Sequence, residues 1–244
     1  IYSIKKSLDV KYFIIDHKLR KNSTAEARIV QKNLKAFFIN LSILTWKGTK
    51  PKKNIQSIAR DERYKLLIEN AKKLKINNIL LGHHLDDLFE NFFIRILRGS
   101  GLNGLISLDK ETQKDEINMI RPLINLNKKD LIYLSDHIFG SYVKDPSNED
   151  DKFKRVKIRN FLKQLGSEGL DRSKFILTIK NLKFANENIK FYVKKNLEEN
   201  VTILQKKENA ILMKDFFSQS EEVIFRSIAE IIKFIGKKYY PVRG

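Results

Sequence analysis

Two polar clusters stand directly behind short apolar runs, the place where an α/β protein presents side chains to a ligand. Asp16-His17 follows Lys11 to Ile15 (KYFII), and His83-His84-Leu85-Asp86-Asp87 follows Ile79 to Gly82. If a helix begins near Leu85, Asp87 and Glu90 stand three apart on one face, with Asp86 one turn before Glu90. Two carboxylates held this way could grip an amine or a magnesium ion. Acids in a first helical turn also complement the macrodipole, worth roughly 0.3–1 kcal/mol each, which is enough to account for Asp86 alone. Asp87 and Glu90 beside two histidines at a strand end favour function. Adjacent histidines leaving a strand point to opposite sides, so a shared transition metal ranks below substrate binding and no metal site is expected.

Other residues suit anions. Arg60 and Arg63 within Ala59 to Tyr64 fall on one helical face, where two guanidinium groups could brace a phosphate or pair locally with acids. Arg98-Gly99-Ser100-Gly101 could offer backbone amides to an anion, or simply cap a helix. Lys152, Lys154, Arg155, Lys157 and Arg159 crowd one basic helix, which suits an RNA backbone nearly as well as a solvated face.

The elements that position these groups alternate. Lys11 to Ile15 and Phe38 to Trp46 read as buried strands, separated by a helix through about Leu34 that Ser23-Thr24-Ala25-Glu26 opens as a capping box. A helix over Ile55 to Leu74, a strand over Ile79 to Gly82 and a helix over Leu85 to Leu97 continue the βαβ pattern. The last of these places Leu85, Leu88, Phe89, Phe92, Phe93 and Ile96 on an apolar face. A helix capped near Asn127, a last strand over Ile138 to Val143 and a turn at Asp145-Pro146-Ser147-Asn148 follow. From about Lys152 a basic helix runs to Gly166 and Gly169. Beyond it, helices over Arg172 to Asn200 and Ser218 to Phe234 flank a hairpin of Val201 to Leu204 and Ala210 to Met213. The expected fold is α/β, a parallel-sheet domain over 1–165 followed by a smaller, mostly helical domain over 166–244.

Composition narrows the function. The 244 residues carry 48 Lys+Arg against 29 Asp+Glu, a formal net charge of +19 spread along the chain, which points to a polyanionic partner. With no cysteine, disulfide scaffolds, thiolate metal sites, iron–sulfur clusters and thiol nucleophiles are excluded. No apolar run reaches the roughly 18–20 residues of a membrane helix, and no secretory pattern opens the chain, so the cytoplasm is the expected compartment.

Taken in order, several segments resemble the tRNA(Ile)-lysidine synthases of the N-type ATP pyrophosphatase superfamily. They are Ile15 to Arg20 (IDHKLR), Ser23 to Ala27 (STAEA), Ala59-Arg60 with Arg63-Tyr64, Leu81 to Glu90 (LGHHLDDLFE) and Arg95 to Leu105 (RILRGSGLNGL), then Arg121-Pro122-Leu123, Asp145 to Asp150 (DPSNED) and Arg155 to Arg159 (RVKIR). The resemblance implies an adenine nucleotide alpha hydrolase-like (Rossmann-like) catalytic domain. It also implies ATP, with Mg2+ on the nucleotide, as the means of adenylating the first anticodon cytidine of a tRNA(Ile) bearing CAU. Pyrophosphate leaves, and the ε-amine of L-lysine then displaces AMP. On this resemblance Asp16, His17, Arg60, Arg63, Gly82, His83 and His84 serve ATP, and Asp87 and Glu90 hold lysine. Arg159 stands near the reacting centre, while Arg98, Lys154, Arg155 and Lys157 contact tRNA. A homodimer is a candidate assembly, and residues 166–244 would bind tRNA.

The sequence departs from the family at two places. The Ser-Gly-Gly-x-Asp-Ser loop that cradles pyrophosphate is not in it, so the chain is expected to be a fragment in which residues 1–10 end the helix after that loop. Gly236 to Pro241 likewise reads as the run-up to further sequence. Leu88 and Asn91 stand where Gln and Thr are usual. Thiolating relatives that use cysteine or an iron–sulfur cluster are disfavoured by the absence of cysteine, and a catalytically silent tRNA-binding piece is the rival reading.

Overall fold

The computed structural model describes residues 6, 8–51, 53–140, 142–143, 154–204 and 209–236. In chain order the elements are β1 (Tyr12–Asp16), α1 (Ser23–Lys35), β2 (Leu41–Thr45), α2 (Ile55–Lys73), β3 (Asn78–Leu80), α3 (Leu85–Ile96) and α4 (Leu102–Leu105). Then come β4 (Glu111–Lys114), β5 (Ile117–Ile120), α5 (Lys128–Phe139), α6 (Lys154–Ser167), α7 (Arg172–Asn200), β6 (Val201–Ile203), β7 (Ala210–Leu212) and α8 (Glu221–Ile235). The chain divides into two compact units, residues 1–94 with 108–162, and residues 95–107 with 163–244.

The first unit is α/β with parallel strand pairs, as expected. β1 and β2 run parallel from Tyr12 beside Leu41 to Asp16 beside Thr45. Parallel neighbours need a crossover, and α1 supplies it. β3 pairs in parallel with β5, and β4 adds an antiparallel edge to β5. Tyr64, Ile68 and Ala71, at helical spacing on α2, pack with Leu81, Ile117 and Met119 to form a core beneath β3 and β5. Sequence reading missed the β4–β5 hairpin. Its two-residue turn is Asp115-Glu116, with both φ positive (50° and 68°), a conformation that Asn-Gly usually announces.

Two local expectations are corrected. The capping box at Ser23 to Glu26 is not formed, because both hydroxyls of Ser23 and Thr24 turn to Asp16 and Glu26 pairs with Arg20 at 2.7 Å. The helix instead has Asn22 at its N-cap, which places Ser23 inside the first turn and not at the position from which a capping box is made. The strand expected over Ile138 to Val143 is absent among the described residues of that segment. Ile138 and Phe139 end α5, whose C-cap Gly140 adopts φ 70°, so helical periodicity continued through to a left-handed stop. β2 is also shorter than expected, since Phe38 belongs to the turn leaving α1. Residues 8–10 are irregular, and the rest of the expected helix end at 1–10, apart from a turn residue at 6, lies outside the described residues. So do the expected turn Asp145 to Asn148 and the run Lys237 to Pro241.

The second unit is mostly helical. Asp171 opens α7 by accepting from the amides of Ser173 and Lys174, at 2.7 and 3.4 Å. β6 and β7 form the expected hairpin. α7 and α8 close around Phe216 and a polar seam, in which Asn196 donates to Phe216 O and Ser227 Oγ and accepts from Asn200. Among the described residues no helix is long and apolar enough to cross a membrane.

Candidate functional site

The site gathers at the C-terminal ends of β1 and β3, within the first unit. Asp16, 1% exposed, accepts from the Lys18 amide at 2.9 Å, Ser23 Oγ at 2.7 Å and Thr24 Oγ1 at 2.6 Å. Burial pushes this carboxyl up, but the Thr24 and Ser23 hydroxyls, the Lys18 amide and the Lys18 charge outweigh it and hold the group below the usual carboxylate range. Asp16 therefore fixes the strand end and the start of α1. Beside it, His17 sets its ring edge-on to Trp46 at 6.5 Å and leaves a buried Nδ1 without a hydrogen-bond partner.

α2 sends two arginines towards these strand ends. Arg60 donates to the Tyr64 hydroxyl at 3.2 Å and lies over that ring at 5.1 Å, which keeps its guanidinium beside Arg63. Burial pushes the Arg63 guanidinium below its ordinary value, Arg60 and Arg155 repel it further, and Tyr64 and Asp87 oppose them. His17 is lowered by burial and by Arg63 against a smaller pull from Asp16. His83, another histidine whose buried Nδ1 has no partner, is pushed down to about 4 by burial and by Arg121, Arg60 and Arg63, against Asp87. So many cations in one place, with unpartnered ring nitrogens among them, make a surrounding that could hold an anion. Gly82 leaves the place of a Cβ open, with no atom within 4 Å.

α3 brings the acids. Asp87 Oδ2 accepts the His84 amide at 3.0 Å and lies 3.5 Å from His84 Nε2, while Asp86 Oδ2 accepts the Lys128 amide at 3.0 Å and ties α3 to α5. Asp86 is thus a brace. Glu90 is 2% exposed, and its Oε1 accepts from Arg159 Nε of α6 at 2.8 Å. Its Oε2 is buried without a hydrogen-bond partner. Val156 and Ile158 anchor α6 in the core, and Lys154, Arg155 and Lys157 stay exposed around them.

The structure therefore brings together His17, Arg60, Arg63, His83, Asp87 and Arg155, with Glu90 and Arg159 joined as a pair. Arg98 is exposed and belongs to the second unit. Among the described residues no three His, Asp or Glu side chains stand together as a metal site. Sequence reasoning gave no role to Arg121, which is 4% exposed, donates to Asp109 O at 2.8 Å and Thr112 Oγ1 at 3.1 Å, and acts on His83. The signal was its place in Arg121-Pro122-Leu123, one of the segments that carry the resemblance.

The depressed His83 makes a pH prediction. Between its folded value of about 4 and the ordinary histidine value, the unfolded chain binds a proton that the folded chain refuses. Stability should fall as pH drops from about 6.5 towards 4, and His83→Gln should flatten that part of a urea-midpoint profile. An identical slope in the variant would place the proton uptake elsewhere.

The PP-loop domain family matches residues 1–165. A tRNA(Ile)-lysidine synthase of Wolbachia sp. subsp. Brugia malayi is 32% identical over 230 residues, covering 94% of this chain and 53% of that protein. The enzyme of the same name from Orientia tsutsugamushi is 37% identical over 157 residues, 64% of this chain and 35% of its own length. The one from Bradyrhizobium diazoefficiens is 36% identical over 157 residues, 64% and 44% of the two chains. The chain spans about half the length, or less, of these curated relatives. Among solved structures, the U34-tRNA thiolase NcsA from Methanococcus maripaludis with its [4Fe-4S] cluster superposes with a TM-score of 0.61 at 17% identity, over 75% of this chain and 65% of that one. That likeness is one of fold.

Proposed function

This chain belongs to the PP-loop domain family, and from that premise we propose that it carries the ATP-using site of a tRNA(Ile)-lysidine synthase, acting in the cytoplasm. The observation that carries the reading is the cluster of Arg60, Arg63 and Arg121 around histidines whose buried Nδ1 atoms lack partners at the strand ends, with the Asp87 and Glu90 acids on the helix that follows.

The two kinds of charge divide the labour. Arg60, Arg63 and the neutral rings of His17 and His83 take the phosphates of ATP, with Mg2+ arriving on the nucleotide. Gly82 lets the nucleotide approach the backbone. The first anticodon cytidine of a tRNA(Ile) with a CAU anticodon is adenylated there as pyrophosphate departs, and the cations offset the negative charge that develops on the phosphates. L-Lysine then displaces AMP through its ε-amine. A lysine ammonium needs acids in this basic surrounding. Asp87 and the unpartnered Oε2 of Glu90 supply them, and Arg159 holds Glu90 in place. Arg98, Lys154, Arg155 and Lys157, with residues 166–244, contact the tRNA.

The absence of cysteine separates this reading from thiolation by a thiolate or iron–sulfur route. Labelled lysine should pass to tRNA(Ile) bearing CAU in the presence of ATP, and the same sample should bind that tRNA. Binding without transfer favours a catalytically silent tRNA-binding piece, and the absence of both transfer and binding overturns the proposal. Mass measurement in solution tests the homodimer.

A ligand experiment isolates the anion cradle. At about 100 times its dissociation constant, ATP or pyrophosphate should stabilise the fold by about 2.7 kcal/mol. For a chain of this size that is a rise of several degrees, at about 2–4 °C per kcal/mol. An unchanged melting temperature at millimolar ligand would argue against a phosphate site.

A further inference from the structure

The turn from α1 into β2 presents a second surface, remote from the strand ends that carry the site. Phe38 is 92% exposed and adopts a left-handed φ of 58°, a strained conformation for a bulky side chain. Its neighbours are pinned on both sides. The amides of Phe37 and Ile39 both donate to Leu34 O, at 3.0 and 3.1 Å, and that of Phe38 donates to Lys35 O at 3.0 Å. Phe37 packs edge-on against Phe139 at 5.0 Å, and Ile39 is 7% exposed. The aromatic ring of Phe38 is thus held out into water by a well-anchored turn.

Beside it lies an open cleft of about 450 Å³ between α1 and β2, lined by Arg28, Lys32, Lys35, Asn40 and Ser42 among others and by no acid. The three cations follow each other at i, i+4 and i+7, so they share one face of α1 over about 10 Å. Gln31 Nε2 donates to Leu41 O at 2.6 Å and fixes helix to strand, so the fold sets the width of the cleft. Because β1 and β2 are parallel, with Leu41 beside Tyr12 and Thr45 beside Asp16, this cleft stands at the N-terminal ends of the strands. The site stands roughly 13 Å away along them.

A lone exposed phenylalanine needs no explanation, and neither does a basic helix face. A strained, solvent-held aromatic beside three unopposed cations is the composition of a single-stranded nucleic-acid contact, in which cations follow phosphates and a ring stacks on a base. We infer that this turn is an auxiliary RNA contact, in which Arg28, Lys32 and Lys35 take backbone phosphates and Phe38 stacks on an unpaired base of the bound tRNA. The inference rests on the tRNA reading above and adds a surface to it.

Two variants of the 244-residue chain, Phe38→Asn and the double variant Arg28→Gln with Lys32→Gln, test it by tRNA titration across salt, steady-state kinetics and thermal melting. Asn tolerates a left-handed φ, so Phe38→Asn should melt at the parent temperature or above it, yet bind tRNA at least about five-fold more weakly. The double variant should lower the slope of log affinity against log salt by about 1.5, two phosphate contacts' worth. Both should raise KM for tRNA and leave kcat and the ATP requirement alone. Parent-like affinity and salt slope in both variants would overturn the inference while the proposed function stands. A parent chain that does not bind tRNA would overturn both.

Discussion

Glu90→Ala is expected to abolish lysine transfer at ordinary lysine concentrations and to cost about 3 kcal/mol of folding stability. Glu90 is 2% exposed, and Arg159 reaches it at 2.8 Å from a helix 69 residues further along. Removing one partner of a buried pair typically costs about 3–5 kcal/mol when nothing else compensates the group that remains. The lower end applies, since the Arg159 side chain keeps 26% of its accessibility. Stability and recognition can be told apart with Glu90→Gln. Its amide oxygen still accepts from Arg159 Nε, so it should melt close to the parent. It has no charge for an ammonium ion, and KM for lysine should rise about 10- to 100-fold, the worth of a charge-assisted hydrogen bond. ATP–pyrophosphate exchange should change far less. A Gln variant with a normal lysine requirement would make Glu90 a brace of the fold only.

Arg63→Met should move stability and nucleotide use in opposite directions. Arg63 is desolvated among Arg60 and Arg155, which disfavour its charge, while Tyr64 and Asp87 favour it less than these disfavour it. Methionine fills similar space and removes the repulsion, so the variant should be more stable by about 0.5–1 kcal/mol. It also removes a guanidinium proposed to bind phosphate, and on that proposal KM for ATP should rise about 10- to 100-fold. A melting curve and an ATP titration on one sample suffice. Loss of stability with unchanged ATP use would move Arg63 out of the site and into the core. The opposed signs are expected wherever charges are held together against their own repulsion for a ligand that is itself charged.

Much of this was legible without coordinates. The long helix Arg172–Asn200 has the bounds expected of it, and the hairpin after it joins the two short runs expected to form it. The βαβ order, the acids at the start of α3 and the paired arginines of α2 are local properties of spacing. The hairpin at Asp115-Glu116 was not legible, because its turn uses two residues that seldom adopt positive φ. Ile138 and Phe139 misled because a short apolar run has no period long enough to tell strand from helix end.

By itself the sequence determined which chemistries were open: no thiolate chemistry, a large positive charge, and an ordered set of motifs whose spacing puts cations and acids at strand ends. Tertiary structure alone decided the partners. Ser23 and Thr24 could cap their own helix or serve Asp16, Glu90 could face solvent or bury against Arg159, and Arg121 could be any arginine before a proline. Those choices are competitions between hydrogen-bond partners on different segments of the chain, from 7 to 69 residues apart. Burial settles them by making an unpaired polar group costly, and burial is a property of the packed fold and not of spacing.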